Sequence, residues 1–245
     1  MILLIDIGNS NTKFKLSDSD VVFEIQTSTS YTSANIEAIM PKAFLTSIEG
    51  AVISSVVPKA SIAVVQYVRS QYNVKPLLIN TDNKTNVIYP TLVHNELGTD
   101  IMCSVEGALA FDDTYLTIDC GTANTFNLVI DKEFIGCAIS PGVYTSHRAL
   151  MQQAGLIHYV DLNGPIKLIA LSTDQCVRSG VIYGFAFMIE GFIQKIKEQY
   201  RLPNLKVYLT GGMSTIVYPM LKETVILSPN LVFEGMERIY YLNQE

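Results

Sequence analysis

A short motif occurs twice in this chain, and its repetition constrains the fold more than any other feature. The first copy runs from Leu4 to Thr12 and the second from Thr117 to Thr125. Ile, Asp, Gly, Asn and Thr recur at one constant offset, the one that separates Asp6 from Asp119. A repeat of this length indicates two duplicated domains rather than a solenoid.

Each copy predicts a β-hairpin, because an apolar strand ends in Asp-x-Gly and small polar residues lead into a second strand-like run. Gly8 and Gly121 would let a phosphate approach the main chain closely. Two such turns facing each other would clamp a nucleoside triphosphate and its metal ion. The alternative is a pair of ordinary buried hairpins with turn-forming Gly, Asn and Thr, and the five matching positions favour the phosphate site.

Composition excludes several classes of protein. The chain has 245 residues, of which 49% are hydrophobic and 16% charged, so it can bury substantial cores. Its formal charge of −6 argues against nucleic acid as a partner. The four scattered cysteines argue against a zinc site or a disulfide framework. No apolar stretch is expected to reach the roughly 20 residues of a membrane span, and Met1–Ile5 is too short for a signal peptide. We expect a soluble, cytoplasmic protein.

Hydrophobic patterning predicts the order βββαβαβ in the first half, as in a ribonuclease-H-like domain, and the same order begins again at Tyr115. We place the boundary between two α/β domains, residues 1–113 and residues 114–245. Residues 81–95 are predicted to form a loop over a pocket. The segment 34–47 and the long apolar segment 173–200 are predicted to be helices.

Phosphoryl transfer needs donors around the phosphates, a divalent metal and a carboxylate that accepts a proton. The chain lacks the usual nucleotide motifs GxxxxGK[ST] and GxGxxG. Its two repeated turns can supply the missing parts. Asp6 can hold the metal directly or through water. The predicted phosphate-binding residues are Gly8, Asn9, Asn11, Thr12 and Lys13 in the first turn, and Gly121, Thr122, Asn124 and Thr125 in the second.

A third signal is the run Gly98-Thr99-Asp100, which opens a predicted helix. Asp100 would lie in the first helical turn, where the helix dipole favours a negative charge. It can be read as a capping carboxylate or as a general base for an attacking hydroxyl.

The long apolar helix carries Gly180, Gly184 and Gly191. These glycines indicate close packing on another element. We predict that this helix forms a dimer contact, and the alternative is burial inside its own domain.

Together these segments resemble the type III pantothenate kinase family, and the similarity runs through almost the whole chain in the right order. The segments that carry it are Asp6–Lys13, Ile53–Pro58, Gly98–Asp100, Ile118–Phe126, Gly136–Gly142, Ser179–Gly184 and Thr210–Gly212.

The resemblance implies two ribonuclease-H-like domains of the acetate-and-sugar-kinase/Hsp70/actin (ASKHA) fold, with an interdomain cleft. It implies ATP-dependent phosphorylation of pantothenate to 4′-phosphopantothenate, the first step of coenzyme A biosynthesis. It further implies a cytoplasmic homodimer that needs Mg²⁺ or another divalent cation and a monovalent cation, K⁺ or NH₄⁺. No nucleic acid or membrane partner is expected.

Residue by residue, the resemblance assigns Asp6 to the phosphate and divalent-metal motif, Asp100 to the catalytic base and Asp119 to the monovalent cation. Thr122 matches a nucleotide-contacting position. The positions that match the pantothenate pocket are Tyr89, Gly98, Thr99 and Thr173.

The chain also departs from the family pattern. Ile101 stands where an Arg usually follows the base, and Asn124 and Asn127 replace a Thr and an Asp of the second motif. Loss of the Arg removes a charge-assisted anchor. These departures keep a second hypothesis open, a catalytically impaired accessory or regulatory protein that binds nucleotide or pantothenate. A third hypothesis is a sugar or other small-alcohol kinase of the same fold, but the chain is short for such a kinase.

Overall fold

The chain forms two compact units in the computed structural model, which describes residues 1–91 and 96–244. Unit 1 comprises Met1–Phe111 and Asn230–Glu245, and unit 2 comprises Asp112–Pro229. The end of the loop predicted at 81–95 lies outside the described residues.

Unit 1 contains a mixed five-stranded sheet in the order β3-β2-β1-β4-β5. Strands β1, β2 and β3 form an antiparallel meander, and β4 and β5 add to β1 in parallel. Its elements are β1 (Ile2–Ile7), β2 (Asn11–Leu16), β3 (Val22–Gln26), α1 (Ser33–Ile39), β4 (Gly50–Ser55), α2 (Pro58–Tyr72), β5 (Leu77–Leu78), α3 (Thr99–Ala108) and, from the end of the chain, α7 (Leu231–Leu242).

Local chemistry sets the ends of the first two helices. Thr32 and Asn35 form a capping box at the start of α1. The helix predicted over 34–47 is shorter than expected, because Met40 is extended before Pro41 and a separate 3-10 turn follows. Pro58 occupies the first position of α2, and Asn73 ends it in the left-handed conformation with φ 54°.

Unit 2 repeats this topology, with sheet order β10-β9-β6-β7-β8. Strand β6 pairs antiparallel with β7 and parallel with β9, as β1 does with β2 and β4. Its elements are β6 (Tyr115–Cys120), β7 (Ala123–Ile130), β8 (Glu133–Pro141), α4 (Val143–Gln153), α5 (Thr173–Gln199), β9 (Lys206–Thr210), α6 (Ser214–Val217) and β10 (Ile226–Leu227). Strands β1 and β6 begin and end at the offset of the sequence motif, which confirms the predicted duplication.

The sheet of unit 1 is apolar on both faces because β1 lies at its centre. Leu3, Ile5 and Ile7 project toward the side covered by α1 and α2, whereas Ile2 and Leu4 project to the opposite side. That second side is covered by α3 and α7. Asp6 has the same strand parity as Ile2 and Leu4, so its carboxylate belongs to the α3 side of the sheet.

The C-terminal helix α7 returns to unit 1 and packs against α3. Two glycines allow the close approach: a Cβ on Gly235 would collide with the carbonyl of Cys103, and one on Gly107 with the carbonyl of Leu231. The predicted domains, 1–113 and 114–245, differ from the observed units at residues 112–113 and in the C-terminal segment 230–245, which contains this helix. Nothing in the amphipathic pattern of α7 indicates which sheet it covers.

Helix α5 is long and apolar enough to cross a membrane by length and composition alone. This corrects the expectation that no apolar stretch of the chain reaches that length. A core helix of a soluble protein meets the same criterion. Val181, Ile182, Ala186 and Ile189 of α5 are buried in the core of unit 2, which accounts for the apolar character of one side of this helix.

Candidate active site

The first repeated turn closes the β1–β2 hairpin at Gly8. The amide of Gly8 donates to the carbonyl of Asn11 at 3.0 Å, and a Cβ on Gly8 would lie only 3.2 Å from that oxygen. Asn9 and Asn11 are exposed, and Lys13 pairs in register with Asp6 across the hairpin. The turn therefore presents main chain, a half-buried carboxylate and a cation at the end of one strand.

Thr27 on the segment after β3 holds this turn in place. Its hydroxyl donates to the carbonyl of Gly8 at 2.7 Å and lies 2.9 Å from the hydroxyl of Thr12. Its amide donates to the carbonyl of Ser10 at 2.8 Å. Since Thr12 is only 3% exposed, its hydroxyl supports the turn from beneath. Thr27 has no distinctive sequence signal and was not predicted to take part in the site.

The start of α3 is attached to the end of β4 through Thr99. The Thr99 hydroxyl accepts a hydrogen bond from the amide of Ser55 at 3.0 Å and lies 3.0 Å from the hydroxyl of Ser54. Ser54 in turn pairs in register with Asp6 on β1. This chain of neighbours brings the first turn of α3 to the strand end that carries Asp6.

Asp100 therefore lies at the start of α3 beside Thr99. Its carboxylate accepts a hydrogen bond from the amide of Ile101 at 2.9 Å. Burial raises the pKa of this carboxyl group above its ordinary value, and hydrogen bonds from the backbone oppose the shift. A Cβ on Gly98 would collide with the Asp100 carboxylate, so glycine leaves room for the side chain. A raised pKa makes the carboxylate a stronger base.

Cys103 shows that Asp6 and Asp100 share one environment. Its thiol is completely buried, and burial raises its pKa well above the usual value. The charge of Asp6 raises that pKa further, and the charge of Asp100 adds to it, whereas a hydrogen bond with Ser54 lowers it. Three carboxylates, those of Asp6, Asp100 and Glu106, thus act on one thiol beneath the junction of β1, β4 and α3. Both aspartates were predicted from the sequence, whereas no role was predicted for Ser54 or Cys103.

The second repeated turn closes the β6–β7 hairpin in unit 2. Asp119 is the fifth residue of β6, as Asp6 is of β1, and Gly121 begins the turn. The amide of Gly142 and the hydroxyl of Thr145 both donate to the carbonyl of Thr122, at 3.0 and 2.6 Å. The start of α4 therefore fixes this turn, and the side chain of Thr122 is left exposed.

Gly211 approaches the end of β6 more closely than any other residue type could. Its φ of +92° is the left-handed region, and a Cβ there would collide with the Asp119 carboxylate and with the backbone of Cys120. The amide of Met213 also donates to the carbonyl of Cys120 at 3.0 Å. The Gly211–Gly212 turn thus lies directly against Asp119.

Of the positions matched to the pantothenate pocket, three lie in unit 1. Tyr89 is half-buried and packs against the apolar cluster that contains Met102 and Cys103. Gly98 and Thr99 begin α3. Thr173 lies in unit 2, where it is the exposed first residue of α5.

The departures from the family pattern occupy buried positions. Ile101 is 5% exposed on α3. Asn127 is completely buried on the Asp119 side of the sheet, where its Nδ2 donates to the hydroxyls of Thr117 and Thr125 at 3.1 and 3.0 Å. A neutral amide therefore lies below Asp119 where the family pattern has a carboxylate.

Asn124 and Thr125 do not expose side chains to a ligand. Asn124 is completely buried on the opposite face, and its side-chain atoms find no hydrogen-bond partner in residues 1–91 and 96–244. Thr125 is 8% exposed. Both side chains are buried in unit 2, and the expectation that they add phosphate donors to the second turn stays a prediction.

Residues 2–195 match the family model of type III pantothenate kinase. The chain belongs to the type III pantothenate kinase family. Curated relatives agree. A type III pantothenate kinase from Dictyoglomus turgidum is 33% identical over 99% of this chain and 100% of its own length. One from Acholeplasma laidlawii is 31% identical over 99% of both chains.

Solved structures show the fold of this kinase. A Baf family protein from Campylobacter jejuni matches with a TM-score of 0.59, 20% identity and 98% of each chain covered. MreB 5 of Spiroplasma citri bound to AMPPNP matches with a TM-score of 0.54 and 8% identity, over 98% of this chain and 96% of its own. With two sheets of equivalent topology, the kinase has the ASKHA fold of paired ribonuclease-H-like units.

The kinase therefore phosphorylates pantothenate with ATP to give 4′-phosphopantothenate in coenzyme A biosynthesis. As in other kinases, the phosphoryl donor is ATP with a divalent cation. The comparisons give no support to the alternative of an impaired accessory protein. The retained carboxylates Asp6, Asp100 and Asp119 fit an enzyme.

Proposed function

We propose that the kinase transfers the γ-phosphoryl group of ATP to the primary alcohol of pantothenate, with Asp100 as general base and the two Asp-x-Gly turns as phosphate and cation sites. The observation that carries this assignment is the 3.0 Å contact between the hydroxyls of Ser54, which pairs in register with Asp6, and Thr99, which directly precedes Asp100. One carboxylate, Asp6, precedes a phosphate-type turn, and the other lies at the start of a helix in the same unit.

Asp6 suits a divalent cation that arrives with ATP. Mg²⁺ is usually held by one or two carboxylates together with phosphate oxygens and water, rather than by a cage of protein ligands. No group of three or more His, Cys, Asp or Glu residues that could hold a metal occurs in the described part of the chain. A single carboxylate at the end of β1 fits such a shared ion, which neutralises charge on the phosphates. Gly8, Asn9, Asn11, Thr12 and Lys13 supply the surrounding donors.

Asp100 acts on the acceptor alcohol. A primary alcohol keeps its proton at neutral pH, so a carboxylate within hydrogen-bond reach orients the hydroxyl and accepts its proton as the bond to phosphorus forms. Burial raises the pKa of Asp100, which strengthens it as a base. The Ile101 amide hydrogen bond holds one of its oxygens in place.

Asp119 is proposed to hold a monovalent cation, K⁺ or NH₄⁺, while Gly121 and Thr122 contact the nucleotide. The side chain of Asp119 is half-buried, and the glycine turn at Gly211 lies against it. A singly charged cation suits a site that has one carboxylate. The side chain of Thr122 is exposed on this turn.

Tyr89, Gly98, Thr99 and Thr173 are proposed to line the pantothenate pocket. The support differs among them. Tyr89 packs against the apolar cluster that contains Met102 and Cys103 of α3, and Gly98 leaves space next to the Asp100 carboxylate. The hydroxyl of Thr99 already bonds to Ser54 and Ser55, so Thr99 contributes main chain and the position of α3.

We further propose that the kinase is a cytoplasmic homodimer in which a second copy covers α5. The residues Gly180, Gly184, Phe187 and Gly191 are exposed and recur at helical spacing on the side of α5 that faces away from the core of unit 2. A Cβ on any of these glycines would meet nothing within 4 Å. Small residues beside one large aromatic side chain form a surface on which a second helix can pack closely.

The decisive experiment measures ATP consumption with purified protein, with pantothenate present or absent and with K⁺, NH₄⁺ or Na⁺ as the monovalent ion. The product is identified by mass as phosphopantothenate. We expect turnover that depends on pantothenate, is stimulated by K⁺ or NH₄⁺ and is lost in Asp100→Asn. Absence of turnover with pantothenate under all three ions, alongside normal ATP binding, would contradict the proposal.

A further inference from the structure

Glu106 is a buried carboxylate that serves no step of the reaction described above. It lies on α3, two turns after Asp100, and is completely buried. An ionised carboxylate in such a place is stable only when hydrogen bonds or charges compensate it. Its partners therefore indicate why the chain keeps a carboxylate there.

Within residues 1–91 and 96–244, the hydrogen bonds to the Glu106 carboxylate come from one short segment. The amide of Asn86 donates to Oε2 at 3.1 Å, the side chain of Asn86 donates to Oε1 at 2.7 Å, and the amide of Val87 donates to Oε2 at 3.2 Å. Arg238 on α7 adds a cation, with its Nε 3.8 Å from Oε1. The carboxylate thus fixes the backbone of 86–87 on the side of α3.

A second anchor holds the same segment from α7. The side chain of Asn243, just past the end of α7, accepts from the amide of Lys84 and donates to its carbonyl, both at 3.0 Å. It also donates to the carbonyl of Ile239 at 2.8 Å. The segment 84–87 is therefore tied to two helices of unit 1 immediately before Tyr89.

Helix α3 therefore carries both the proposed base, Asp100, and Glu106, which holds the segment 84–87 before Tyr89. Asp100 and Glu106 are six residues apart on this helix, a rise of about 9 Å, and Val87 precedes Tyr89 by two residues. We propose that Glu106 is a positioning residue that fixes the distance between Tyr89 and Asp100, and so sets the affinity for the acceptor alcohol. This inference rests on the proposed roles of Tyr89 and Asp100.

The first test replaces Glu106 by Gln, which keeps the volume and removes the charge. The NH₂ group of the Gln side chain cannot accept a hydrogen bond from Asn86 or Val87. At least one of the hydrogen bonds from these two residues is therefore lost. We expect the KM for pantothenate to rise about tenfold, the effect of about 1.4 kcal/mol. The KM for ATP should stay within about twofold, since the Asp6 turn is not attached to this segment.

Asn86→Ala provides a second variant that does not disturb the core, because Asn86 is exposed. It removes only the 2.7 Å bond to Oε1. The same selective rise in the KM for pantothenate is expected, smaller than in Glu106→Gln. In the double variant the two effects should be less than additive, because both substitutions break the same contact.

Glu49→Gln is the matched control, since this carboxyl group lies in the same unit, is 82% exposed and pairs only with the terminal amine among the ion pairs of the described residues. It should leave both KM values unchanged. Hydrogen exchange of the amides of 86 and 87 gives a readout without turnover. Exchange should accelerate in Glu106→Gln and Asn86→Ala while β1 stays protected.

Two outcomes would overturn the inference: equal rises in the KM for ATP and for pantothenate, or faster exchange at 86–87 with an unchanged KM for pantothenate. Either result would make Glu106 a purely structural residue. Failure of the wild-type protein to phosphorylate pantothenate would instead contradict the proposed function, and is separated from these outcomes by the unmutated control.

Discussion

The hydroxyl of Thr99 lies 3.0 Å from the hydroxyl of Ser54, and this contact joins the helix that carries the proposed base to the strand beside Asp6. The bond is local in space but joins residues 45 positions apart in sequence. It explains how two aspartates from separate motifs come to share the environment of Cys103. The proposed base of this kinase is therefore positioned by hydroxyl groups and not by a neighbouring Arg, since residue 101 is Ile.

Replacing Thr99 by Val should disconnect this junction without changing the shape of the side chain. The amide of Ser55 then loses its acceptor, at a cost of about 1–3 kcal/mol in the free energy of unfolding. We expect a lower denaturation midpoint and a reduced kcat, measured by urea unfolding and by steady-state turnover. Thr99→Ser keeps the hydroxyl and serves as the control. If Thr99→Val retained full kcat and stability, the junction would not position the base.

Asp100→Asn should lower kcat by about 10²–10⁴-fold, the usual contribution of general acid–base catalysis. Binding of ATP, measured by calorimetry, should change little because the Asp6 turn is intact. An exposed carboxyl group of the same unit, in Asp20→Asn, is the control and should leave kcat unchanged. Turnover of Asp100→Asn near the wild-type rate would leave Asp100 as a helix-capping residue only.

The pH dependence of activity should reflect the raised pKa of Asp100. A base acts as the carboxylate, so kcat/KM falls as the pH drops through the pKa of the folded enzyme. Because burial raises this pKa above its ordinary value of 3.8, the acid limb should lie at higher pH than for an exposed aspartate. A profile of kcat/KM measured from pH 4 to 9 should show this limb in the wild-type enzyme. The residual activity of Asp100→Asn should not depend on pH in this range.

Stability should change in the opposite sense to activity. A raised pKa means that folding disfavours the ionised carboxyl group, so its unfavourable contribution appears as the pH rises through the folded pKa. Asp100→Asn should therefore unfold at a higher temperature than wild type at pH 7, and the difference should shrink toward pH 4. A lower melting temperature of the variant at pH 7 would contradict the assigned cause of the shift.

Gly211→Ala and Gly212→Ala form a matched pair next to Asp119. The first puts a Cβ against the Asp119 carboxylate at a φ of +92°, and backbone strain alone costs about 1–3 kcal/mol. The second meets nothing within 4 Å. We expect only Gly211→Ala to lower the melting temperature and to weaken stimulation by K⁺. If both variants changed the melting temperature and the stimulation by K⁺ equally, the close approach of Gly211 to Asp119 would not matter for either property.

Gly184→Arg tests the proposed dimer. A long charged side chain on the exposed stripe of α5 should prevent a second helix from approaching, and light scattering at micromolar concentration should then give a monomer. Gln199→Arg, at the exposed end of the same helix, is the control and should remain a dimer. A wild-type protein that is monomeric under these conditions would contradict the proposed interface.

The sequence by itself determined the duplication, the positions of Asp6, Asp100 and Asp119, and the family. These features depend on local patterns: an apolar strand, an Asp-x-Gly turn and a helix start each leave a signature within about ten residues. The strand bounds of β1 and β6 at one offset follow directly from the repeated motif.

Only the tertiary structure decided which separate segments meet. Ser54 supports Thr99, Thr27 fastens the first turn, and Glu106 and Asn243 anchor the segment before Tyr89. Each is a common polar residue to which no motif assigned a role, and its role comes from a partner that is remote in the chain. The return of α7 to α3 is of the same kind, because an amphipathic pattern states that a helix has a buried face but does not state which surface covers it.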